Sequence, residues 1–244
     1  MSQDMDAVLH GWEYKPNLVQ ARLVRAADGR QVIQMRVDLG VLQMETTGRP
    51  DGSQPHGRPT YFDYLKQQAR EADRAGRPFV LNEEQCEEAD REFVQYYHRR
   101  ICWLALRDYA RAVADADHTL AFMTFVCAHS PDEDYAVAHE QYRGFVLFQR
   151  TQAAAALATE QNDPEKAIDA VNAGLKAIQE FLAAHDLAEE AEDNGMIRHL
   201  RKMERSLRQL HGIEATLQEQ LEQAVANEEY ETAARIRDAL KRRQ

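Results

Sequence analysis

The C-terminal stretch of the chain reads LQEQLEQAVANEEYETAARIRDAL over residues 217–240. Apolar and small residues recur in it at the three- and four-residue spacing of a helix face, both before residue 227 and again from Tyr230 onward. The run Asn-Glu-Glu at residues 227–229 separates the two segments, and its asparagine suits either a left-handed turn position or a helix N-cap. The stretch therefore predicts a hairpin of two short helices.

The order of residues in this stretch resembles the UVR motif, the short helical hairpin at the C-terminal end of the bacterial excision-repair proteins UvrB and UvrC. The family pattern has two spaced leucines, an alanine, an acidic turn, an aromatic residue followed by glutamate, paired small residues, Arg-Asp and a last apolar residue. Every one of these features occurs here in that order. The resemblance covers about the last thirty residues, and it implies a bacterial protein with a contact module rather than a reaction.

The resemblance also implies which side chains contact a partner. In the UVR family, the aromatic residue and its apolar neighbours beside the turn meet the equivalent hairpin of the partner, which here would be another UVR-bearing protein or a second copy of this chain. A different interpretation stays open, in which Tyr230 only fastens the turn and the leucines form an internal core. The implied contact positions are Leu221, Val225, Tyr230, Ala234, Ile236 and Arg237.

The size of the hairpin gives an independent reason to expect a partner. Two short helices bury little apolar area, so an isolated hairpin of this kind is barely stable. We therefore expect the segment from Ile213 onward to take cover from another helix or from a second molecule. This interpretation requires Tyr230 to be accessible, because a tyrosine sealed by the chain's own preceding helices could not reach a partner.

A heptad pattern typical of a coiled coil precedes and overlaps the hairpin. Glu214 stands at a position of this pattern where leucine is expected, close to Gly212. Two interpretations are open: one long helix in which Glu214 sets the register, which we favour, or a helix that ends near Gly212 with the hairpin beginning at Ile213. The seven-residue series is Met196, Met203, Leu210, Leu217 and Ala224, and Leu200, Leu207 and Leu221 lie between its members.

A basic face runs along the same predicted helix at three- and four-residue steps. Four cations in a row could contact the phosphates of a nucleic acid. They could equally flank the coiled-coil seam and pair with acids such as Glu204, and few aromatic residues lie among them to stack on bases. Ion pairing in solvent is therefore favoured over nucleic-acid binding for Arg198, Arg201, Arg205 and Arg208.

Residues 1–59 carry the only strand pattern of the chain. Alternating apolar residues on both sides of Asp28-Gly29 predict a two-stranded hairpin, because Asp-Gly supplies the positive φ angles of a tight turn. Gly40 precedes a shift in this alternation that we interpret as a bulge. Residues 48–59, GRPDGSQPHGRP, predict a connecting loop rather than a phosphate-binding turn, since no Gly-Lys-Ser/Thr occurs there.

Residues 60–194 predict a helical domain. Thr60 marks the first helix start, and Asn82 with Gln85 forms a capping box for the next helix. Two further starts contain a proline in the first turn, at residues 130–133 and 163–165.

Two segments of this domain are similar to each other, residues 108–113 and 163–168. Both resemble the second half of a tetratricopeptide repeat, but that family repeats about every 34 residues and these segments lie farther apart, so an ordinary helical bundle stays an equal alternative. With residues 195–244 as a third segment, the sequence predicts a mainly α fold. It comprises a tetratricopeptide-like helical hairpin array, a small N-terminal β-hairpin, and a C-terminal coiled coil with the UVR helical hairpin.

Composition narrows the class of protein. The 244 residues carry a formal net charge of −11, which makes the chain a poor general binder of nucleic acid. The three cysteines form no Cys-x-x-Cys pair, so we expect small buried groups in a reducing compartment rather than a zinc site. Residues 1–10 resemble no secretion signal, and no window approaches the roughly 20 apolar residues that span a bilayer. We therefore expect the protein in the cytoplasm, away from membranes.

The known catalytic motifs find no match. Residues 139–143, HEQYR, begin like the zinc-protease motif His-Glu-x-x-His, but Arg143 replaces the second histidine, and no nucleophile elbow or Walker loop occurs. We therefore expect no enzymatic activity, cofactor or metal, and interpret the protein as a non-catalytic adaptor or scaffold that acts through its UVR hairpin and helical array. The alternative is an accessory factor of nucleotide excision repair that binds a UVR-bearing partner, although the helicase and nuclease domains of the motif's best-known owners are missing.

Overall fold

The computed structural model describes residues 5–242, without the side chain of Glu190. Part of the N-terminal stretch used to predict the location of the protein therefore lies outside the described residues. The chain divides into two compact units, which meet in sequence at Val146 and Leu147. Each unit has its own buried core.

The first unit begins with one short helix, α1 (Asp6–Leu9), and a three-stranded antiparallel sheet in the order β1-β2-β3. In the central strand, Ile33 is paired with Leu23 on one side and with Met44 on the other, and both Val32 and Ile33 are completely buried. Gly29 has a φ of 89° in the turn after the first strand, as the Asp-Gly pair predicts. The strands are β1 (Gln20–Arg25), β2 (Gln31–Val37) and β3 (Gly40–Glu45).

The predicted two-stranded hairpin is wrong in its second half. The alternation shifts at Gly40 because the chain reverses there, and Val37 pairs with Gly40 across a tight turn. Leu39, at this turn, is 94% exposed. A turn and a bulge both shift the phase of the alternation, so the apolar pattern could not separate them.

Helices complete the first unit after a loop at residues 48–59, which contains only a single 3₁₀ turn (Pro55–Gly57). Thr60 and Asn82 cap their helices as predicted, and Asn82 forms the full capping box with Gln85. At the start predicted for residues 130–133 the cap is Asp132, which accepts from the backbone N–H of Tyr135. The helices are α2 (Tyr61–Arg74), α3 (Glu83–Leu106), α4 (Tyr109–His129), α5 (Glu133–Glu140) and the first residues of α6 (Arg143–Glu160).

Buried charged groups hold the loop and the helices of this unit together. Glu92 is completely buried, and its carboxylate accepts the first backbone N–H groups of α2, from Tyr61 at 2.6 Å and Phe62 at 3.2 Å. Arg49, 4% exposed, reaches from the loop to Glu88 at 3.0 Å. The apolar core of this unit includes Leu65, Leu81, Ala89, Phe122 and Val126.

The second unit consists of helices: the remainder of α6, then α7 (Pro164–Ala184), a 3₁₀ turn (Ala188–Ala191), α8 (Gly195–His211), α9 (Leu217–Ala226) and α10 (Tyr230–Lys241). Asp163 caps α7 and Pro164 lies in its first turn, as predicted. Helices α6 and α7 approach closely at Gly174, where an added Cβ would lie 1.9 Å from Oγ1 of Thr151. The core contains Ala155, Val171, Ile178, Leu182, Ile197 and Leu200.

The single long helix that we favoured for the heptad seam is wrong. α8 ends at His211, and Gly212 follows in the left-handed conformation with a φ of 64°. Thr216 then starts a separate helix, and Glu214 lies between the two, exposed to solvent. Glycine adopts the left-handed conformation at no steric cost, and a break here keeps the Glu214 carboxylate out of an apolar seam.

The mainly α fold with a small N-terminal sheet and a C-terminal helical hairpin is confirmed. The tetratricopeptide-like character of the helix pairs stays a prediction. Among the residues that the structure describes, no helix is both long enough and apolar enough to cross a bilayer.

Candidate functional site

Small residues bring the two helices of the C-terminal hairpin together. Ala224 on α9 is 4% exposed and Ala233 on α10 is 7% exposed. Alanine at facing positions lets helix backbones approach closely, so the hairpin closes with little side-chain volume between its helices. The small residues of the motif therefore allow the two helices to pack closely.

The turn between the helices is formed by Glu228 in the left-handed conformation, with a φ of 61°. The backbone N–H of Glu229 donates to the carbonyl of Ala224 at 2.8 Å, and the N–H of Glu228 donates to the carbonyl of Val225 at 3.1 Å. These two bonds satisfy the last carbonyls of α9 in the manner of a Schellman motif. Asn227, which the sequence suggested for the left-handed position, has a φ of −86° instead.

The residues that flank this turn are open to solvent. Tyr230 is 68% exposed and Val225 is 52% exposed. Leu221, Ala234 and Ile236 are partly buried. The accessible tyrosine that the interpretation requires is therefore present, whereas the leucine contributes in part to the inside of the hairpin.

The last predicted contact residue, Arg237, is exposed and lies 3.3 Å from Asp238. Ile236 lies with Ala224 and Thr232 in the wall of a shallow groove of about 580 Å³. Tyr230 and Val225 lie outside the lining of this groove. Of the predicted contact residues, Ile236 therefore lines this groove, whereas Val225 and Tyr230 flank the open turn.

The opposite end of the hairpin is fixed by Thr216, whose side chain is completely buried. Its hydroxyl donates to Oδ1 of Asp169 on α7 at 2.6 Å and accepts from the backbone N–H of Glu219 at 3.2 Å. The Glu219 carboxylate in turn accepts from the backbone N–H of Thr216 at 2.8 Å. Thr216 and Glu219 therefore form a capping box for α9 that is also bonded to another helix.

Further bonds join the start of α9 to α7. The backbone N–H of Leu217 donates to Oε2 of Glu165 at 3.1 Å. The amide of Asn172 donates to Oε1 of Glu219 at 2.9 Å. The start of α9, at the end of the hairpin away from the turn, is therefore covered by the chain's own helix α7. Polar groups hold it there.

Arg208 joins this network from α8. Its guanidinium donates to both carboxylate oxygens of Glu219, to Oε1 of Glu204 at 2.9 Å and to the backbone carbonyl of Glu214 at 2.8 Å. These charge-assisted bonds cross the break between α8 and α9. We call the set of Glu165, Asp169, Asn172, Arg208, Thr216 and Glu219 the polar clamp.

The charges of the polar clamp shift one another's pKa values. Burial raises the pKa of Asp169, and the negative charges of Glu219 and Glu165 raise it further against the opposing bond from Thr216. Burial also acts to raise the pKa of Glu219, but the bonds from Arg208 and Thr216 outweigh it and lower that pKa overall. The clamp thus contains one carboxylate that resists ionisation and one that favours it.

The basic face of α8 is divided by this arrangement. Arg208 is bound in the polar clamp, including the pairing with Glu204 that the sequence suggested. Arg198 lies 3.7 Å from Asp193 with its side chain 62% exposed. Arg205 is exposed and Arg201 is partly buried. The four arginines therefore do not form one open row of cations.

Sequence reasoning missed the polar clamp, although one signal was present. The spacing of Thr216 and Glu219 fits the capping-box pattern Ser/Thr-x-x-Glu. Nothing in the local pattern indicated Asp169 or Asn172, each of which lies 47 residues from its partner.

The cysteines and the possible metal ligands are a separate candidate for a functional site. Cys102 is completely buried, and burial raises the pKa of its thiol to about 12. In the part of the chain that the structure describes, no three His, Cys, Asp or Glu side chains are grouped as a metal site would require.

Comparison with known proteins gives one match. A family model described as the UvrB/uvrC motif matches residues 215–242, which begin one residue before the cap of α9 and include both helices of the hairpin. No curated protein and no solved structure matches the chain. UVR motifs occur in DNA-repair proteins and mediate contacts between proteins.

Proposed function

We propose that this protein is a non-catalytic adaptor that binds another UVR-bearing protein, or a second copy of itself, through the hairpin of α9 and α10. The match to the UvrB/uvrC motif supports a role in protein contact. The observation that carries the proposal is the pair of exposed apolar side chains at the turn, Tyr230 at 68% and Val225 at 52%. Large aromatic residues that are open on the free surface are the residue type that anchors protein interfaces.

The polar clamp supports the same conclusion from the other end of the hairpin. Because Thr216 and Glu219 hold the base of α9 against α7 and α8, the turn is presented from a fixed base rather than from a loose tail. A recognition surface that is ordered before binding loses less conformational entropy when the partner arrives. The apolar turn and the bonded base therefore suit a contact module.

The size of the hairpin favours a modest interface. Stable interfaces bury on the order of 1,600 Å² in total, which is about 800 Å² from each partner. The two helices have ten and twelve residues and are only about 15 and 18 Å long, so one face of the hairpin supplies less than a partner's share unless neighbouring surface joins in. We expect an affinity that depends on a few residues at the turn. Removal of Tyr230 is therefore the change that tests the proposal most directly.

The test uses the full chain in two assays. Light scattering over a range of concentrations measures self-association, and immobilised UvrB measures capture of a UVR-bearing partner. Tyr230→Ala abolishes or strongly reduces whichever contact is observed, whereas Leu39→Ala, which removes a 94% exposed leucine far from the hairpin in sequence, leaves it unchanged. A wild-type chain that stays monomeric and captures no UvrB contradicts the proposal.

A second candidate function is an accessory role in nucleotide excision repair, and the observation that favours it is the identity of the matched motif. In this case the protein would act with DNA present, and the arginines of α8 that lie outside the polar clamp would contact phosphates. The double variant Arg201→Ala and Arg205→Ala then weakens binding of fluorescent duplex DNA, and the remaining binding depends less on salt. Equal DNA binding by wild type and double variant contradicts this role.

A further inference from the structure

An apolar groove of about 650 Å³ lies in the first unit. It is formed by α3, α4, α5 and the first residues of α6. Its walls are mainly aromatic and aliphatic, with few polar atoms among them. The side chains that dominate its lining are Phe93, Val94, Tyr97, Met123, Phe145 and Val146.

Several large apolar side chains in this groove remain open to solvent. Val94 is 54% exposed, Tyr142 is 57% exposed, Phe145 is 42% exposed and Tyr97 is 41% exposed. A single exposed apolar side chain is ordinary, but a group of them in one groove between helices is the pattern of a surface that another molecule covers.

Acidic side chains lie at one edge of this groove. Asp90 lines it with 52% of its side chain exposed and accepts from the Tyr135 hydroxyl at 2.7 Å. Glu83 and Asp132 mark the starts of α3 and α5, and both are exposed. Their charges are close enough to add, with that of Asp90, to the effect of burial in raising the pKa of the Cys86 thiol.

The basic groups in the lining present little accessible positive charge to a binding partner. Arg100 is only 2% exposed, and its Nη1 donates to Oγ1 of Thr119 at 3.0 Å. His139 lies 2.9 Å from Asp90, and burial lowers its pKa so that the ring is neutral at neutral pH. Of the charged side chains in the lining, the one open to an approaching molecule is therefore the carboxylate of Asp90.

We propose that this groove binds an amphipathic helix of a partner protein that carries lysine or arginine beside its apolar face. The apolar face of the helix covers Tyr97, Tyr142 and Phe145, and its cations lie near Asp90 and the acidic starts of α3 and α5. Helices bind grooves of this kind through apolar residues at three- and four-residue spacing, and opposite charges at the edge fix the choice of partner. This contact is a second one, in addition to that of the hairpin, and does not depend on it.

The test measures binding of a labelled synthetic helix to the full chain by fluorescence anisotropy. The probe is on the order of 14 residues long, the length at which isolated helices begin to form in water, with leucine on one face and lysine on the other. A matched probe carries glutamate in place of every lysine. We expect the lysine probe to bind and the glutamate probe to bind at least about tenfold more weakly.

Two pairs of matched variants locate the site. Phe145→Ala weakens binding of the lysine probe about tenfold, the loss typical of an interface anchor, whereas Leu39→Ala leaves it unchanged. Asp90→Asn weakens binding several-fold at low salt, whereas Asp38→Asn, which removes an exposed acid outside the lining, does not. Because Phe145 is 42% exposed, its replacement leaves the core intact, and the melting temperature of each variant verifies this.

Three results overturn the proposal. The first is equal binding by Phe145→Ala and Leu39→Ala, which places the probe elsewhere. The second is equal loss with Asp90→Asn and Asp38→Asn, which assigns the attraction to the overall charge of −11 rather than to the groove. The third is a glutamate probe that binds as tightly as the lysine probe. None of these results bears on the hairpin, whose test measures self-association and capture of UvrB.

Discussion

The buried hydroxyl of Thr216 lies 2.6 Å from Oδ1 of Asp169, and this bond joins the first residue before α9 to the second turn of α7. The same hydroxyl caps α9 by accepting from the N–H of Glu219. One side chain therefore both starts the UVR hairpin and fixes it to α7. The stability of the hairpin is tied to a helix that the motif itself does not include.

Thr216→Val removes the hydroxyl while keeping the shape of the side chain. We expect the loss of a cap and of a buried hydrogen bond to lower the local stability of α9 by about 1–3 kcal/mol. Amide hydrogen exchange of residues 217–226 would accelerate accordingly. Thr232→Val, at a partly exposed position of α10, is the control, and equal acceleration in the two variants would contradict a special role for Thr216.

The raised pKa of Asp169 gives the polar clamp a pH dependence of defined sign. The pKa of this carboxyl is higher in the folded protein than its ordinary value of 3.8. Its contribution to the free energy of unfolding is therefore fully present below pH 3.8 and is lost as the pH rises through the folded pKa. The Asp169→Asn variant has no carboxyl to titrate at this position and does not show this loss. The stability of the variant relative to wild type therefore increases from pH 3.8 towards neutral. Thermal melts of both proteins over this range measure the difference, and a difference that decreases with rising pH would refute the assignment.

The left-handed turn at Glu228 predicts a stabilising substitution. A non-glycine residue in this conformation costs about 1 kcal/mol relative to glycine, so Glu228→Gly slows hydrogen exchange in α9 and α10. Glu229→Gly is the matched control, because Glu229 has a φ of −80° and gains nothing from glycine. Faster exchange in Glu228→Gly than in wild type would show that another conformation is populated at the turn.

The contact between Gly174 and Thr151 predicts that a larger side chain at position 174 causes a steric clash. An alanine Cβ at position 174 would lie 1.9 Å from the threonine Oγ1 and 2.6 Å from its Cβ. We expect Gly174→Ala to destabilise the second unit by about 1–3 kcal/mol through overpacking. Thr151→Ala combined with Gly174→Ala should recover part of this loss in urea unfolding followed by circular dichroism. A double variant no better than the sum of the two single variants would argue against this contact.

The ion pair of Arg99 and Asp115 predicts a large loss in the first unit. Both side chains are buried, and the guanidinium donates to the two carboxylate oxygens at 2.7 and 2.9 Å. Asp115→Asn leaves a buried cation without its direct counter-charge, which costs about 3–5 kcal/mol. Tryptophan fluorescence during urea unfolding reports on this unit, because both tryptophans lie in it.

Arg91→Ala is the control for this loss, since it breaks only the pair with Glu88, in which the Arg91 side chain is 61% exposed. We expect a change below about 1 kcal/mol from this exposed pair. Similar losses from Arg91→Ala and Asp115→Asn would contradict the importance assigned to the buried pair.

Local chemistry was readable from the sequence where cause and effect are close together. Thr60, Asn82 and Asp163 cap helices because their side chains reach backbone N–H groups three residues on. The motif match, the helical hairpin and its exposed tyrosine follow from the same short-range pattern. The prediction of one long helix was wrong because the heptad pattern contains no information on the left-handed conformation of Gly212. The pattern therefore placed Glu214 inside a continuous helix.

Contacts between distant segments were not readable. Arg49 reaches Glu88, and Asp169 reaches Thr216, through tertiary packing that no periodicity encodes. The apolar groove was not predicted for the same reason, since Tyr97 on α3 and Phe145 on α6 line one groove only in the folded chain. A single sequence thus predicts the C-terminal hairpin better than it predicts the tertiary contacts that hold the hairpin.

The bonds at Thr216 have a consequence for anyone who wishes to transplant the hairpin. A fragment cut at the first residue of the motif match, Ala215, leaves behind the carboxylates of Glu165 and Asp169, the amide of Asn172 and the guanidinium of Arg208. The smallest portable piece therefore begins at the cap of α7, Asp163, rather than at the motif boundary.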